Sequence, residues 1–245
     1  LALMTGHIGR EGTGINPMRG QNNIQGAGDA GGLPNNYVGF QPVDDPANQA
    51  RFSKLYGREI DLERGITKVR ALDYAADGKM KAMIICGENT LVSDPDRHHC
   101  EKALRAVDHL IVIDLFMTET AELADVVLPA TAWAETDGVF TNTERRIQRV
   151  RAAVPAQGES KPEWWIMSQL AKRLGVPGFD YDSAADVFNE LCSASAIYRG
   201  VNWERAGEGT YHWPVPTEGH PGTPRSSESS TASPPRSSTT STPCG

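Results

Sequence analysis

The succession of apolar runs between Lys81 and Pro129 constrains this chain more than any other feature. Lys81-Ala82-Met83-Ile84-Ile85-Cys86 reads as a buried strand that stops at Gly87-Glu88-Asn89. Asp94-Pro95 then caps a helix with Cys100, Ala103, Leu104 and Val107 on one face. His109-Leu110-Ile111-Val112-Ile113-Asp114 is a second strand, and a short helix over Thr120–Ala124 leads into a third, Asp125-Val126-Val127-Leu128-Pro129. Strands alternating with helices in this way imply parallel pairing through right-handed crossovers. Near-continuous apolar strands imply a sheet covered on both faces. The expected fold is therefore α/β, a Rossmann-like parallel sheet with helices on both faces, plus part of a neighbouring α+β domain.

Around this unit the patterning is more varied. Residues 5–42 are rich in Gly, Asn and Gln and support neither helix nor strand periodicity, so a long irregular loop is expected, packed through Ile24, Tyr37 and Phe40. Asp45-Pro46 opens a helix that carries Phe52, Leu55 and Tyr56 on one face and ends at Gly57. Trp133 to Arg151 fits no clear pattern. Ser160-Lys161-Pro162-Glu163 has the form of a capping box, before a stripe of Met167, Leu170, Ala171 and Leu174. A further helix follows Asp182, with Val187, Phe188 and Leu191 inward. From Thr223 Ser, Thr and Pro dominate; such a tail cannot bury enough apolar surface to order itself and reads as a linker, a disordered tail or, the reading favoured here, a reading-frame artefact.

Charge and cysteine usage narrow the partners. The net charge of −7 gives little attraction to phosphate backbones or anionic lipid, which argues against nucleic acid and membrane surfaces. No apolar run approaches the ~20 residues of a membrane span. Cys86, Cys100, Cys192 and Cys244 form no C-x-x-C pair, so neither a zinc knuckle nor a thiolate cluster is written here; they read as reduced and buried, in keeping with a cytoplasmic setting. Leu1-Ala2-Leu3 opens without Met, and the chain reads as the interior of a longer protein.

Ligands of open α/β sheets sit beyond the carboxyl ends of the strands. Gly87, Glu88 and Asn89 follow one strand, and Asp114 and Thr118 the next. Gly87 would let the backbone approach a phosphate, and Asp114 could accept two hydrogen bonds from a ribose diol or a guanine edge. The plainer alternative is that Gly87 turns the chain and Asp114 caps the next helix. No G-x-G-x-x-G follows any strand, so a standard nicotinamide site is not supported. Arg19 stands in Asn16-Pro17-Met18-Arg19-Gly20-Gln21-Asn22-Asn23, where a guanidinium among amides could hold a small carboxylate in a bidentate fork. The alternative is a solvated loop arginine. His98 and His99 are adjacent and point apart, which makes them poor shared ligands. Glu135, Asp137 and Glu144 have no spacing that fixes acid–base geometry. Arg145, Arg146, Arg149 and Arg151 form a basic cluster whose default reading is a solvated face.

Taken in order, several segments resemble the large subunit of formate dehydrogenases, within the molybdopterin oxidoreductase family. They are the stretch Gly14-Ile15-Asn16-Pro17-Met18-Arg19-Gly20-Gln21-Asn22-Asn23-Ile24-Gln25-Gly26-Ala27 and Gly32-Leu33-Pro34, then Gly87-Glu88-Asn89, Asp114-Leu115-Phe116-Met117-Thr118-Glu119-Thr120-Ala121, Ala124-Asp125-Val126-Val127-Leu128-Pro129 and Gly138-Val139-Phe140-Thr141-Asn142-Thr143-Glu144-Arg145-Arg146. The later motifs are shared across the wider family; Arg19-Gly20-Gln21-Asn22-Asn23 points to formate dehydrogenase. Gly28 and Ala30 stand where related proteins often carry Cys and Met.

The resemblance implies a bis-molybdopterin guanine dinucleotide cofactor with molybdenum or tungsten, and oxidation of formate to carbon dioxide or the reverse. It implies a catalytic role for Arg19 beside the metal, orienting formate, with Gln21 near the pterin. Gly20, Asn22 and Asn23 would join Gly87, Glu88, Asn89, Asp114 and Thr118 in holding cofactor. No metal ligand and no ligand of the family's [4Fe-4S] cluster is expected in this chain. Expected partners are formate or carbon dioxide and electron-transfer subunits or domains with iron–sulfur clusters or flavin; the expected compartment is the cytoplasm, with the periplasm as the alternative. The expected division is 1–21 as the end of a preceding cofactor-binding domain, 22–131 as a Rossmann-like pterin-dinucleotide domain, 132–222 as a helical and irregular continuation, and 223–245 as the tail. Another molybdopterin enzyme such as a nitrate reductase, or a non-catalytic cofactor-binding fragment, is the alternative.

Overall fold

The computed structural model describes residues 1–10, 13–15, 18–60, 63–220 and 222. The Ser/Thr/Pro tail and the expectation attached to it, like Cys244, lie outside the described residues.

The first departure from expectation is a short helix, α1 (Ile24–Asp29), inside the Gly- and Asn-rich stretch. Its middle, Gly26-Ala27-Gly28, is too small, and the helix too short, to print an amphipathic period. It starts at Asn23, held in the left-handed conformation at φ 59°, and buries Asp29. A two-residue ribbon follows, β1 (Asn36–Tyr37) against β2 (Gln41–Pro42), antiparallel. Tyr37 packs on Phe52 with ring centroids 4.3 Å apart, so the stretch is packed as expected, although Ile24 and Phe40 lie at the surface.

Helix α2 (Pro46–Tyr56) has the expected ends. The Asp45 carboxylate accepts from the Ala47 N–H at 2.8 Å, and Gly57 closes the helix at φ 65°. Phe52 is its buried anchor; Leu55 and Tyr56 turn outward, contrary to the expected shared face, although Tyr56 still stacks on Phe52. Helix α3 (Lys68–Ala76) was not foreseen and buries Leu72 and Ala75.

The central unit forms as read. Strand β3 (Ala82–Cys86) is followed by a single turn, α4 (Thr90–Ser93), and by α5 (Arg97–Ala106), capped by Asp96 rather than Asp94. Strand β4 (His109–Asp114), a 3₁₀ turn over Ala121–Leu123 and β5 (Val126–Pro129) complete a parallel sheet of order β3-β4-β5. On one face Ile85, Leu110 and Val112 join Leu72, Ala75, Cys100, Ala103 and Leu104 in a core under α3 and α5. On the other face Ile113 packs with Ala130 and Ile166. That second cover stops short of β3. Ile84 is 46% exposed and Cys86 is also exposed, so the expectations of a sheet covered throughout and of buried cysteines fail at this edge strand.

The segment without a clear pattern is a hairpin. Strand β6 (Gly138–Thr141) pairs with β7 (Arg146–Val150), and β8 (Tyr211–His212) adds to β7, all antiparallel. Its core is Ile147 with Phe188, Cys192, Tyr198, Val201, Ala206 and Val215, carried largely by α7 (Ala184–Ala194) and α8 (Trp203–Glu208). Between hairpin and α7 lies α6 (Glu163–Arg173), which begins after Pro162 without the expected box. Lys161 is bridged in parallel to Ala130, and the Ser160 hydroxyl donates to the Gln157 carbonyl instead of capping. Its inward residues are Ile166, Ser168 and Leu170, while Met167 and Leu174 face out. The capping box belongs to α7, where Ser183 and Asp186 bond reciprocally.

Candidate functional site

The Arg19 segment lines a cavity of about 310 Å³ together with the β6–β7 turn. One wall is Met18 to Gln25, the other Phe140 to Thr143 with Gln148. The walls are joined where the Asn23 side-chain oxygen accepts from the Thr141 N–H at 2.9 Å. Arg19, Gly20, Gln21 and Asn22 are exposed on this wall, and among the described residues no carboxylate pairs with Arg19. The turn is rigid in its own right: the Asn142 side-chain oxygen accepts from the N–H groups of Glu144 and Arg146, at 3.1 and 2.9 Å. The resemblance had singled out Thr141, Asn142 and Thr143 as a motif without giving them a place in the site; the structure puts them opposite Arg19.

Beneath the cavity lies a buried acid that sequence reading missed. Asp29 is 1% exposed. Its carboxylate accepts from Gln25 at 2.9 Å and from the Tyr198 hydroxyl. Since Tyr198 spends its only hydrogen on Asp29, the Thr141 hydroxyl donates to Tyr198. Burial lifts the Asp29 carboxyl above its ordinary range, while the hydrogen bonds from Tyr198 and Gln25 pull it back. No sequence periodicity marks an acid in a six-residue helix, so only the fold reveals it.

The strand-end residues form a second group. In the register Cys86↔Ile113, Gly87 follows the carboxyl end of β3 and Asp114 is the last residue of β4, on one edge of the sheet. Gly87 has φ 64° with open space above its Cα. The Leu115 N–H bonds Asp114 Oδ1 at 2.6 Å, leaving Oδ2 available. Other members are engaged in structure. Asn89 Oδ1 accepts from the Thr120 hydroxyl at 2.9 Å, and its amide donates to Glu119 at 2.6 Å. Thr118 accepts from the Ala121 N–H at 3.2 Å. Glu88 accepts from Lys68 at 2.9 Å and from Ser93 at 2.6 Å. Burial raises its pKa, but these two donors outweigh it and hold the carboxyl below its ordinary value.

The remaining candidates have local roles. His99 lies 3.1 Å from Asp73, Glu135 accepts from the Ala132 N–H and Asp137 from the Ala152 N–H. The basic cluster is not a solvated face throughout: the Arg149 guanidinium lies 3.4 Å from the Trp203 ring centroid and that of Arg145 5.2 Å from Trp213. Among the described residues no group of three His, Cys, Asp or Glu is placed to hold a metal ion. Among them, too, no helix is long and apolar enough to cross a membrane.

The model of the molybdopterin oxidoreductase family matches residues 1–173, and the chain belongs to that family. It is 47% identical over 224 residues to the F420-dependent formate dehydrogenase subunit alpha of Methanocaldococcus jannaschii, covering 91% of this chain and 33% of that protein. It is 40% identical over 216 residues to formate dehydrogenase H of Escherichia coli, covering 87% and 30%. Among solved structures, acetylene hydratase from Pelobacter acetylenicus matches with a TM-score of 0.52 at 25% identity, over 68% of this chain and 24% of that one. The chain thus spans about a third of the length of the curated relatives it matches.

The residues lining the Arg19 cavity fit a molybdopterin. A pterin edge alternates hydrogen-bond donors and acceptors, and side-chain amides such as Gln21, Asn22 and Gln148 supply both. A volume of about 310 Å³ is at the lower end of the ~300–1,000 Å³ usual for ligand pockets, room for part of a dinucleotide rather than all of it.

Proposed function

We propose that this chain is part of the catalytic subunit of a formate dehydrogenase, and that the Arg19 cavity is where its substrate and pterin meet. The supporting observation is the joining of the Arg19-Gly20-Gln21-Asn22-Asn23 motif to the Phe140–Thr143 turn around one cavity, with no carboxylate among the described residues paired to the guanidinium. Arg19 presents two parallel N–H donors to the formate carboxylate and fixes its direction. Gln21, Asn22 and Gln148 bond the pterin edge. A bis-pterin guanine dinucleotide centre with molybdenum or tungsten, held on this wall by Gln21, Asn22 and Gln148, would supply the two-electron acceptor chemistry for oxidising formate to carbon dioxide. The protein lowers the barrier by holding the carboxylate in one orientation within a fixed electrostatic environment.

The parallel sheet, in this proposal a Rossmann-like unit, holds one nucleotide at its carboxyl edge. Gly87 admits a phosphate close to the backbone, and Asp114 Oδ2 accepts from ribose or guanine. Asn89, Thr118 and Glu88 serve by fixing the loops through their hydrogen bonds to Thr120, Ala121 and Lys68. Electrons leave through subunits or domains that carry iron–sulfur clusters or flavin. Formate-dependent reduction of a dye by the full-length enzyme, with nitrate reduction measured alongside, tests the proposal. Formate turnover is expected; nitrate turnover without formate turnover would overturn it.

A further inference from the structure

A buried carboxylate that meets only neutral donors is costly. Well-packed apolar groups of the same shape are often at least as stabilising as a buried ionised group, so stability alone gives weak reason to keep one. Asp29 is such a group, and two hydrogen-bond routes lead from it to the Arg19 cavity. Gln25 and Thr141 line that cavity, and both are tied to Asp29, the first directly and the second through Tyr198.

Backbone strain gives a second, independent sign. Among the described residues three that are not glycine have positive φ: Asn23 at 59°, Phe40 at 58° and Arg145 at 68°. That conformation is strained for Phe40 and Arg145 and better tolerated by Asn23, and it persists where the surroundings over-determine it. All three converge on the same place. Asn23 holds the Thr141 N–H. The Phe40 ring is 6.0 Å from the Trp213 ring, and the Arg145 carbonyl accepts from the Trp213 N–H at 3.1 Å beneath the stacked guanidinium. The Gly39 N–H, next to Phe40, donates to the Asp29 carbonyl at 2.7 Å.

We infer that Asp29 is a positioning residue for the Arg19 cavity, fixing Gln25 directly and Thr141 through Tyr198 so that the cavity wall meets the pterin in one arrangement. Asp29 touches neither pterin nor formate. It acts as the outer partners of a metal site act, by locking the groups that do the binding. The inference rests on the proposed presence of pterin in this cavity.

The test uses the full-length enzyme loaded with cofactor, in Asp29→Asn and Tyr198→Phe variants. Pterin release is followed by the fluorescence of the oxidised pterin after gel filtration, and melting temperature is recorded for each protein. A third variant, Leu104→Ala in the core beneath the parallel sheet, supplies a loss of stability without a change at the cavity. Asp29→Asn should release pterin roughly tenfold faster than wild type, and faster than Leu104→Ala at equal melting temperature. Tyr198→Phe, which removes one oxygen and the link to Thr141, should accelerate release less, and adding it to Asp29→Asn should have a less than additive effect. Release from both variants no faster than from Leu104→Ala at equal melting temperature would overturn the inference. If wild-type enzyme holds pterin but does not oxidise formate, the proposed function fails while the Asp29 measurement still decides its own question.

Discussion

The side-chain oxygen of Asn23 accepts a hydrogen bond from the backbone N–H of Thr141 at 2.9 Å, between residues 118 positions apart in sequence. It joins the loop that carries Arg19 to the turn that closes the other side of the cavity. A Cβ built on Gly26 would fall 2.0 Å from that oxygen and 3.2 Å from the Thr141 nitrogen. Gly26→Ala, which in an exposed helix adds stability, should here destabilise by about 1–3 kcal/mol, because it displaces Asn23 and leaves the Thr141 N–H unpaired. Chemical denaturation of wild type and variant measures it, and a gain in stability would contradict this packing.

The latch between the two strand-end loops should be cooperative. Thr120 is fully buried; its hydroxyl donates to Asn89 and accepts from the Leu91 N–H at 3.0 Å. Thr120→Val keeps the shape but strands both partners, for an expected loss of about 1–3 kcal/mol. Asn89→Ala should cost a similar amount, and the double variant less than the sum. Strictly additive losses in a denaturation cycle would show that the two residues do not act together.

Acid stability should depend on Glu88. Its folded-state carboxyl lies below the ordinary value of 4.5, since Ser93 and Lys68 outweigh the effect of burial. The folded state therefore releases this proton more readily than the unfolded one. The stabilisation is complete above 4.5 and is lost as pH falls through the lower folded value. In pH-dependent denaturation, Glu88→Gln should lack that stabilisation near neutral pH, and its gap from wild type should close in acid. A gap that widens as pH falls below 4.5 would contradict the sign.

The parts legible in the sequence are those whose cause is local. The runs at Met83–Cys86 and Leu110–Ile113 announce strands, and Asp45-Pro46 with Gly57 delimits α2, because burial and capping depend on near neighbours. The features hidden from the sequence depend on distant partners. Helix α1 has six residues with Gly26-Ala27-Gly28 at its middle and gains its place from Asn23 on Thr141 and Asp29 on Tyr198. The Ser160 box failed because Lys161 is committed to a bridge with Ala130. Strand β7, Arg146-Ile147-Gln148-Arg149-Val150, mixes Arg and Gln with Ile and Val, and Arg149 of the strand and Arg145 of the turn before it are half-buried against Trp203 and Trp213, so polarity misreports burial there. Arg19 was legible as a candidate through its motif, but the wall opposite it was not.

The most direct measurement replaces Arg19 with Lys in the full-length enzyme and compares formate kcat/KM at equal cofactor content. Lysine keeps the charge and loses the planar two-pronged donor. If Arg19 orients formate, kcat/KM should fall by the order of 10²-fold or more, about 2.7 kcal/mol of transition-state stabilisation, with pterin and metal content unchanged. A Lys variant with full cofactor and undiminished formate turnover would contradict the role given to Arg19.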